Sequence, residues 1–114
     1  MTQRKLNKSN EQFDKAITKL PLGVSSNFRY WGDDKTLYIK CGKGARIWDL
    51  DDNEYIDYRL GYGPIILGYA DTRVDQAAKD GMNIGGVFAL ATELEYEIAT
   101  RISGMVKAAE LVRF

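Results

Sequence analysis

Histidine is absent from the 114 residues, and cysteine occurs once, at Cys41. The first absence removes the commonest general base and the commonest metal ligand. A self-contained hydrolase or zinc enzyme is therefore not expected. The second rules out an internal disulfide framework and fits a reducing cytosol. Cys41 has no histidine to activate it as a nucleophile. Net charge is missing too, with 16 Lys and Arg against 16 Asp and Glu. Such a balance leaves no electrostatic footprint for nucleic acid or an anionic membrane surface. The basic start, Arg4, Lys5 and Lys8, is too short to be more than a solvated tail. No apolar run approaches the ~20 residues of a membrane span, and the N-terminus lacks the apolar core of a signal peptide. The expectation is a cytoplasmic chain of one domain at most, with neither a nucleic-acid nor a membrane partner.

What is present reads as a helix, a small sheet and two more helices. Ser9-Asn10-Glu11-Gln12 has capping-box spacing, with Ser9 as N-cap and Gln12 reaching back. Phe13, Ala16, Ile17 and Leu20 follow as one helical stripe, which Pro21 is expected to end. Three strand-like runs come next, over 36–40, 45–50 and 54–59. A Cys41-Gly42-Lys43-Gly44 turn and an Asp51-Asp52-Asn53 turn separate them. Connections this short predict an antiparallel meander, with Leu37, Ile39, Ile47, Trp48, Ile56 and the tyrosines covering one face. Gly61 to Gly68 is a bent loop of glycines and a proline around an apolar run. Asp71 is placed to cap a helix carrying Val74, Ala77, Ala78 and Met82. Thr92-Glu93-Leu94-Glu95 is a second capping box, before a helix expected to turn Leu94, Ile98, Ile102 and Met105 inward. Leu111, Val112 and Phe114 suit a covered strand with no turn signal after it, which suggests the front piece of a larger protein.

Few residues look chemical. Arg29 follows Ser25-Ser26 and is flanked by Phe28, Tyr30 and Trp31. A guanidinium beside aromatic surface can hold a carboxylate through two parallel hydrogen bonds. It can equally be an arginine stacked on Trp31 for packing. Tyr62, between two glycines, can present its ring to a ligand or fill a core. Asp49, Asp51, Asp52 and Asp57 scatter over different faces, so they read as turn residues and not as a metal site. Gly42-Lys43-Gly44 opens a strand and lacks the residues of a phosphate loop.

The order of motifs resembles a known family. Leu22-Gly23-Val24-Ser25-Ser26-Asn27-Phe28-Arg29 is followed by the run from Gly42 to Tyr58. Gly63-Pro64-Ile65-Ile66-Leu67-Gly68-Tyr69-Ala70 and Ala91-Thr92-Glu93-Leu94-Glu95 then come in the same order. Together they resemble the N-terminal part of class III aminotransferases, most of all the glutamate-1-semialdehyde 2,1-aminomutases and their relatives. The similarity covers residues ~20 to 114. Asn27 stands where that pattern has proline, Tyr62 where it has tryptophan, and Tyr69 where it has histidine. Ala89-Leu90-Ala91-Thr92 replaces Gly-Ala-Pro-Thr. These departures favour a relative acting on another amino or keto compound.

The resemblance implies an α/β fold, the N-terminal part of a fold type I pyridoxal-phosphate transferase. Residues 1–70 would be the N-terminal helix and small antiparallel sheet. Residues 71–114 would start the large cofactor domain, with its first helices and first strand. It implies a homodimer acting on a small amino or keto acid. Ser25, Ser26, Arg29 and Tyr62 would lie at the substrate, with Arg29 receiving its carboxylate. The cofactor would be pyridoxal 5'-phosphate, bound mainly by residues beyond this chain, since none of the nine lysines matches the family's lysine motif. The family's phosphate-gripping Asn-Ser-Gly-Thr-Glu would follow one residue on. The piece alone would then be inactive. The rival expectation is a free-standing dimerisation or interaction module without chemistry.

Overall fold

The computed structural model describes residues 4–114. The chain divides into two compact units, one up to Asp75 and one from Gln76. In the first, α1 (Asn7–Ala16) precedes a three-stranded antiparallel sheet of β1 (Ile39–Lys43), β2 (Arg46–Asp49) and β3 (Glu54–Ile56), in the order β1-β2-β3. Two helices follow, α2 (Thr72–Asn83) and α3 (Glu93–Met105). The meander is as the short connections require.

Ser9 does not cap α1. It lies inside the helix, fully buried, and Leu6 holds the N-cap position. The cap comes from the β2–β3 turn, where the Asp51 carboxylate accepts the Lys8 and Ser9 backbone N–H groups at 2.8 and 3.0 Å. An anion there satisfies orphan donors and complements the helix dipole. The helix ends at Ala16, before the expected Pro21, which instead opens a short 3-10 turn over Pro21–Gly23. Phe13 and Ala16 are buried, whereas Ile17 and Leu20 are exposed. Phe13 packs against Gly23, where a Cβ would stand 2.9 Å from its ring.

β1 begins three residues later than expected, and Cys41, Gly42 and Lys43 belong to the strand. The turn is reduced to Gly44-Ala45, with Gly44 at φ +56. Between Ile39 and Cys41 the register shifts, a bulge that leaves Lys40 outside the ladder. Ile39 pairs with Asp49, and Ile47 with Gly42 and Tyr55. Trp48 pairs with Cys41 and Glu54. Side chains alternate, so Trp48 and Ile56 take the face opposite Ile39 and Ile47. The expected single apolar face is therefore divided between the two sides. Gly42 admits the ring of Tyr69, since a Cβ there would meet Tyr69 Cγ at 2.6 Å. The Tyr69 and Gly44 backbones exchange hydrogen bonds of 2.9 Å.

Asp71 accepts the Arg73 N–H at 3.0 Å and caps α2. Thr92 and Glu95 form the expected box at α3, with the Thr92 N–H donating to Glu95 Oε1 at 3.2 Å. No residue from 76 to 114 is buried. The inward stripe expected of α3 is not packed, and Leu94 and Met105 are exposed. Residues 110–114 form no strand, and Leu111 is 95% exposed. A strand exists only with a hydrogen-bonding neighbour, and the described residues provide none there. No helix among the described residues is long and apolar enough to cross a membrane.

Candidate substrate-binding site

A cavity of about 490 Å³ opens between the loop after α1 and the Ile39–Ile47 face of the sheet. Leu20, Val24, Leu37 and Ile47 supply apolar wall, while Ser25, Arg29 and Arg59 supply the polar groups. Its volume falls within the ~300–1,000 Å³ usual for small-molecule sites.

Arg29 closes a single 3-10 turn, Asn27–Arg29. Its Nη1 donates to Ser25 Oγ at 3.2 Å, which leaves most of the guanidinium fork unused. Ser26 lies beside it, half-buried, at the N-cap of that turn, and does not line the cavity. Arg29 does not stack on Trp31. The arginine over that ring is Arg59, 5.2 Å from its centre, and the same guanidinium lies 4.8 Å from the Tyr62 ring. Arg59 escaped the sequence reading because Trp31, the ring it lies over, is 28 residues away and the Phe28 carbonyl it reaches is 31. The usable signal was an arginine between Asp57 and the Gly61 and Gly63 pair.

Tyr62 is joined to the Arg29 loop. Its hydroxyl donates to the Phe28 carbonyl at 3.2 Å, and the two rings are 5.7 Å apart. The ring is 57% exposed, so it is no core tyrosine within this chain. Leu60, Gly61, Tyr62 and Gly63 all have positive φ, from 51 to 122. Left-handed backbone is costly for residues as large as Leu60 and Tyr62. Strain of this kind persists where its surroundings over-determine it, and it gathers at functional sites.

Asp57 holds that loop. Its Oδ1 accepts the Arg59 N–H at 2.7 Å, and its Oδ2 accepts the Tyr69 hydroxyl at 2.5 Å. The Tyr69 hydrogen bond holds the Asp57 carboxyl below its ordinary value despite burial. The same bond, with burial, pushes the Tyr69 phenol up to about 12. Tyr69 thus supports the loop carrying Arg59 and Tyr62. Tyr69→Phe should cost about 1.5 kcal/mol at neutral pH, the low end for a hydrogen bond to a charged group, because the pair is only part-buried. The Asp57 contribution is present above the unfolded carboxyl value and is lost as pH falls through the depressed folded one. The Tyr69 contribution is present below pH 10 and is lost as pH rises towards 12. Urea unfolding across the alkaline range should therefore show a shallower loss for Tyr69→Phe than for the parent chain. Equal slopes would contradict the assignment.

The chain matches no family model. It is 48% identical over 109 residues to the glutamate-1-semialdehyde 2,1-aminomutase of Sulfurihydrogenibium sp. (strain YO3AOP1), covering 94% of this chain and 26% of that protein. A solved structure described as a transaminase with PLP bound superposes with a TM-score of 0.83 at 26% identity. It covers 96% of this chain and 26% of its own. An omega-transaminase from Sphaerobacter thermophilus superposes with a TM-score of 0.75 at 29% identity, over 85% of this chain and 22% of its own. These likenesses are consistent with a fragment of a class III aminotransferase.

It spans about a quarter of the length of the curated relatives it matches. Pyridoxal phosphate is the cofactor of the family. The described residues do not fit it. A helix N-terminus with free amides is a ready phosphate seat. Asp51 occupies that of α1, Asp71 that of α2, and the Thr92–Glu95 box that of α3. No lysine lines the cavity.

Proposed function

We propose that this chain supplies part of the substrate site of a pyridoxal-phosphate-dependent aminotransferase or aminomutase. The substrate would be a small amino or keto acid, and the whole protein would work as a homodimer. The observation that carries the reading is the Arg29 guanidinium. It is anchored by Ser25, has most of its donors unused, and faces an apolar cavity in a chain similar to this family. Arg29 would bind the substrate carboxylate by two hydrogen bonds, with Ser25 fixing its orientation and Ser26 setting the turn. Tyr62 lies outside the lining of this cavity and would act through the Phe28 loop that its hydroxyl holds. Residues 1–70 would be the small-domain portion and 71–114 the start of the large domain. The cofactor's phosphate seat and lysine would come from further chain, and pyridoxal phosphate would there supply the electron sink for amino transfer.

The test is Arg29→Lys in the whole protein. An ammonium is a point charge and cannot reproduce the two-pronged contact. A lost charge-assisted hydrogen bond is worth roughly 1.5–3 kcal/mol, or about ten- to a hundredfold in affinity. The loss should fall on carboxylate-bearing amino donors and spare simple amines. Equal losses for both donor types, or a fall in melting temperature that accounts for them, would return Arg29 to a packing role.

A further inference from the structure

Tyr38 stands one residue before β1, where its carbonyl accepts the Leu50 N–H at 2.9 Å and ties it to the sheet. Its half-buried hydroxyl donates to the Gly23 carbonyl at 2.6 Å. Burial pushes the phenol above its ordinary value, so the proton stays on the oxygen at neutral pH. Gly23 is where the chain turns into the Ser25–Arg29 loop. Leu22 and Gly23 are consecutive left-handed residues, at φ 56 and 68. Such backbone is costly at Leu22 and persists only where its surroundings hold it. The Phe13 ring and the Tyr38 hydroxyl both stand against Gly23, where a Cβ would lie 2.9 and 3.2 Å from them. The ring gives contact without direction, whereas the hydroxyl bond fixes the plane of the Gly23 peptide. From that peptide Val24 and Ser26 run extended, outside every strand of the sheet, to the turn of Asn27–Arg29. The far end of the loop is held at the Phe28 carbonyl by the Tyr62 hydroxyl at 3.2 Å. Ser25, which anchors Arg29, lies two residues after Gly23. A rotation of the Gly23 peptide is therefore carried to the Ser25 hydroxyl and on to the guanidinium.

We propose that Tyr38 is a positioning residue: its hydroxyl sets the Gly23 peptide, and through it the Ser25–Arg29 pair that receives the carboxylate. The proposal rests on the reading of Arg29 as a carboxylate receptor and names the group that aims it. A fork that binds by two parallel hydrogen bonds depends on direction more than a point charge does. A donor carried next to a strand holds that direction better than one on a loop.

A double-variant cycle in the whole protein, with a carboxylate-bearing amino donor, tests it. Tyr38→Phe keeps the ring and removes only the bond. It should raise KM about three- to tenfold, the range of one neutral hydrogen bond, and change kcat less. In the Arg29→Lys background the same replacement should raise KM by less than about twofold, because an ammonium has no plane to aim. An equal rise in both backgrounds would show that Tyr38 supports the fold and not the aim of Arg29, and would overturn this proposal. So would an unchanged KM for Tyr38→Phe in the parent background. Either result leaves the Arg29 reading standing. An Arg29→Lys variant whose KM for that donor equals the parent's would overturn both.

Discussion

Replacing Asp49 by alanine should cost the sheet-bearing unit about 3–5 kcal/mol, a large share of a small domain's stability. Asp49 is fully buried and accepts four hydrogen bonds: Asp51 N–H at 2.9 Å, Asn53 N–H at 2.8 Å, Asn53 Nδ2 at 2.9 Å and Tyr55 hydroxyl at 2.8 Å. Alanine leaves those donors without an acceptor, and each buried unsatisfied donor costs ~1–3 kcal/mol before water relieves part of it. Asp49→Asn should cost less, about 1–2 kcal/mol. Its carbonyl keeps the two backbone donors, and the Tyr55 hydroxyl can turn to accept from the new amide. Only the Asn53 side chain is then opposed by a like donor. Burial and the bond to Asp49 push the Tyr55 phenol up to about 12, so ultraviolet titration should show it lowered in Asp49→Ala by the loss of that bond, with the effect of burial remaining. Urea midpoints followed by Trp48 fluorescence check the energies. An alanine variant within ~1 kcal/mol of the parent would refute this account.

The same cluster shows what could be read in advance. Local rules sufficed wherever the partner was local. Asp71 before α2 and Thr92–Glu95 before α3 read as caps and are caps, because donor and acceptor lie within three residues. Ser9 failed for the opposite reason. The carboxylate that caps α1 is Asp51, 42 residues from Ser9, and it is aimed there by the turn that Asp49 organises. The meander followed from short connections, but its register did not. The bulge at Lys40 shifted β1, and the alternation then sent Trp48 and Ile56 to the far face. At the candidate site, Arg29 stood out by its aromatic flanks and Ser25 by the family resemblance, and a hydrogen bond joins the two. Arg59 did not stand out, since its meaning depends on Trp31 being folded onto it.

The 114-residue chain, supplied with pyridoxal phosphate, an amino acid and a keto acid, should transfer no amino group faster than pyridoxal phosphate does in solution. Amino transfer needs a cofactor held in register with the substrate, and most of an enzyme's advantage comes from that positioning and from electrostatic preorganisation. The described residues offer neither anchor. Each α-helix N-terminus is already filled by a carboxylate of the chain, so a phosphate would have to displace Asp51, Asp71 or Glu95. Lys40 is paired with Asp52, which pushes its ammonium pKa up and away from a nucleophilic amine. No lysine reaches the cavity that Arg29 lines. Imines formed on surface lysines would be slow and unspecific, and they would not be sensitive to Arg29. The measurement is keto-acid product from a donor amino acid, compared among the chain, the chain with Arg29→Met, and cofactor alone. Equal rates in all three are expected. Turnover by the parent chain above the cofactor background, lost in Arg29→Met, would place a complete catalytic site within these residues.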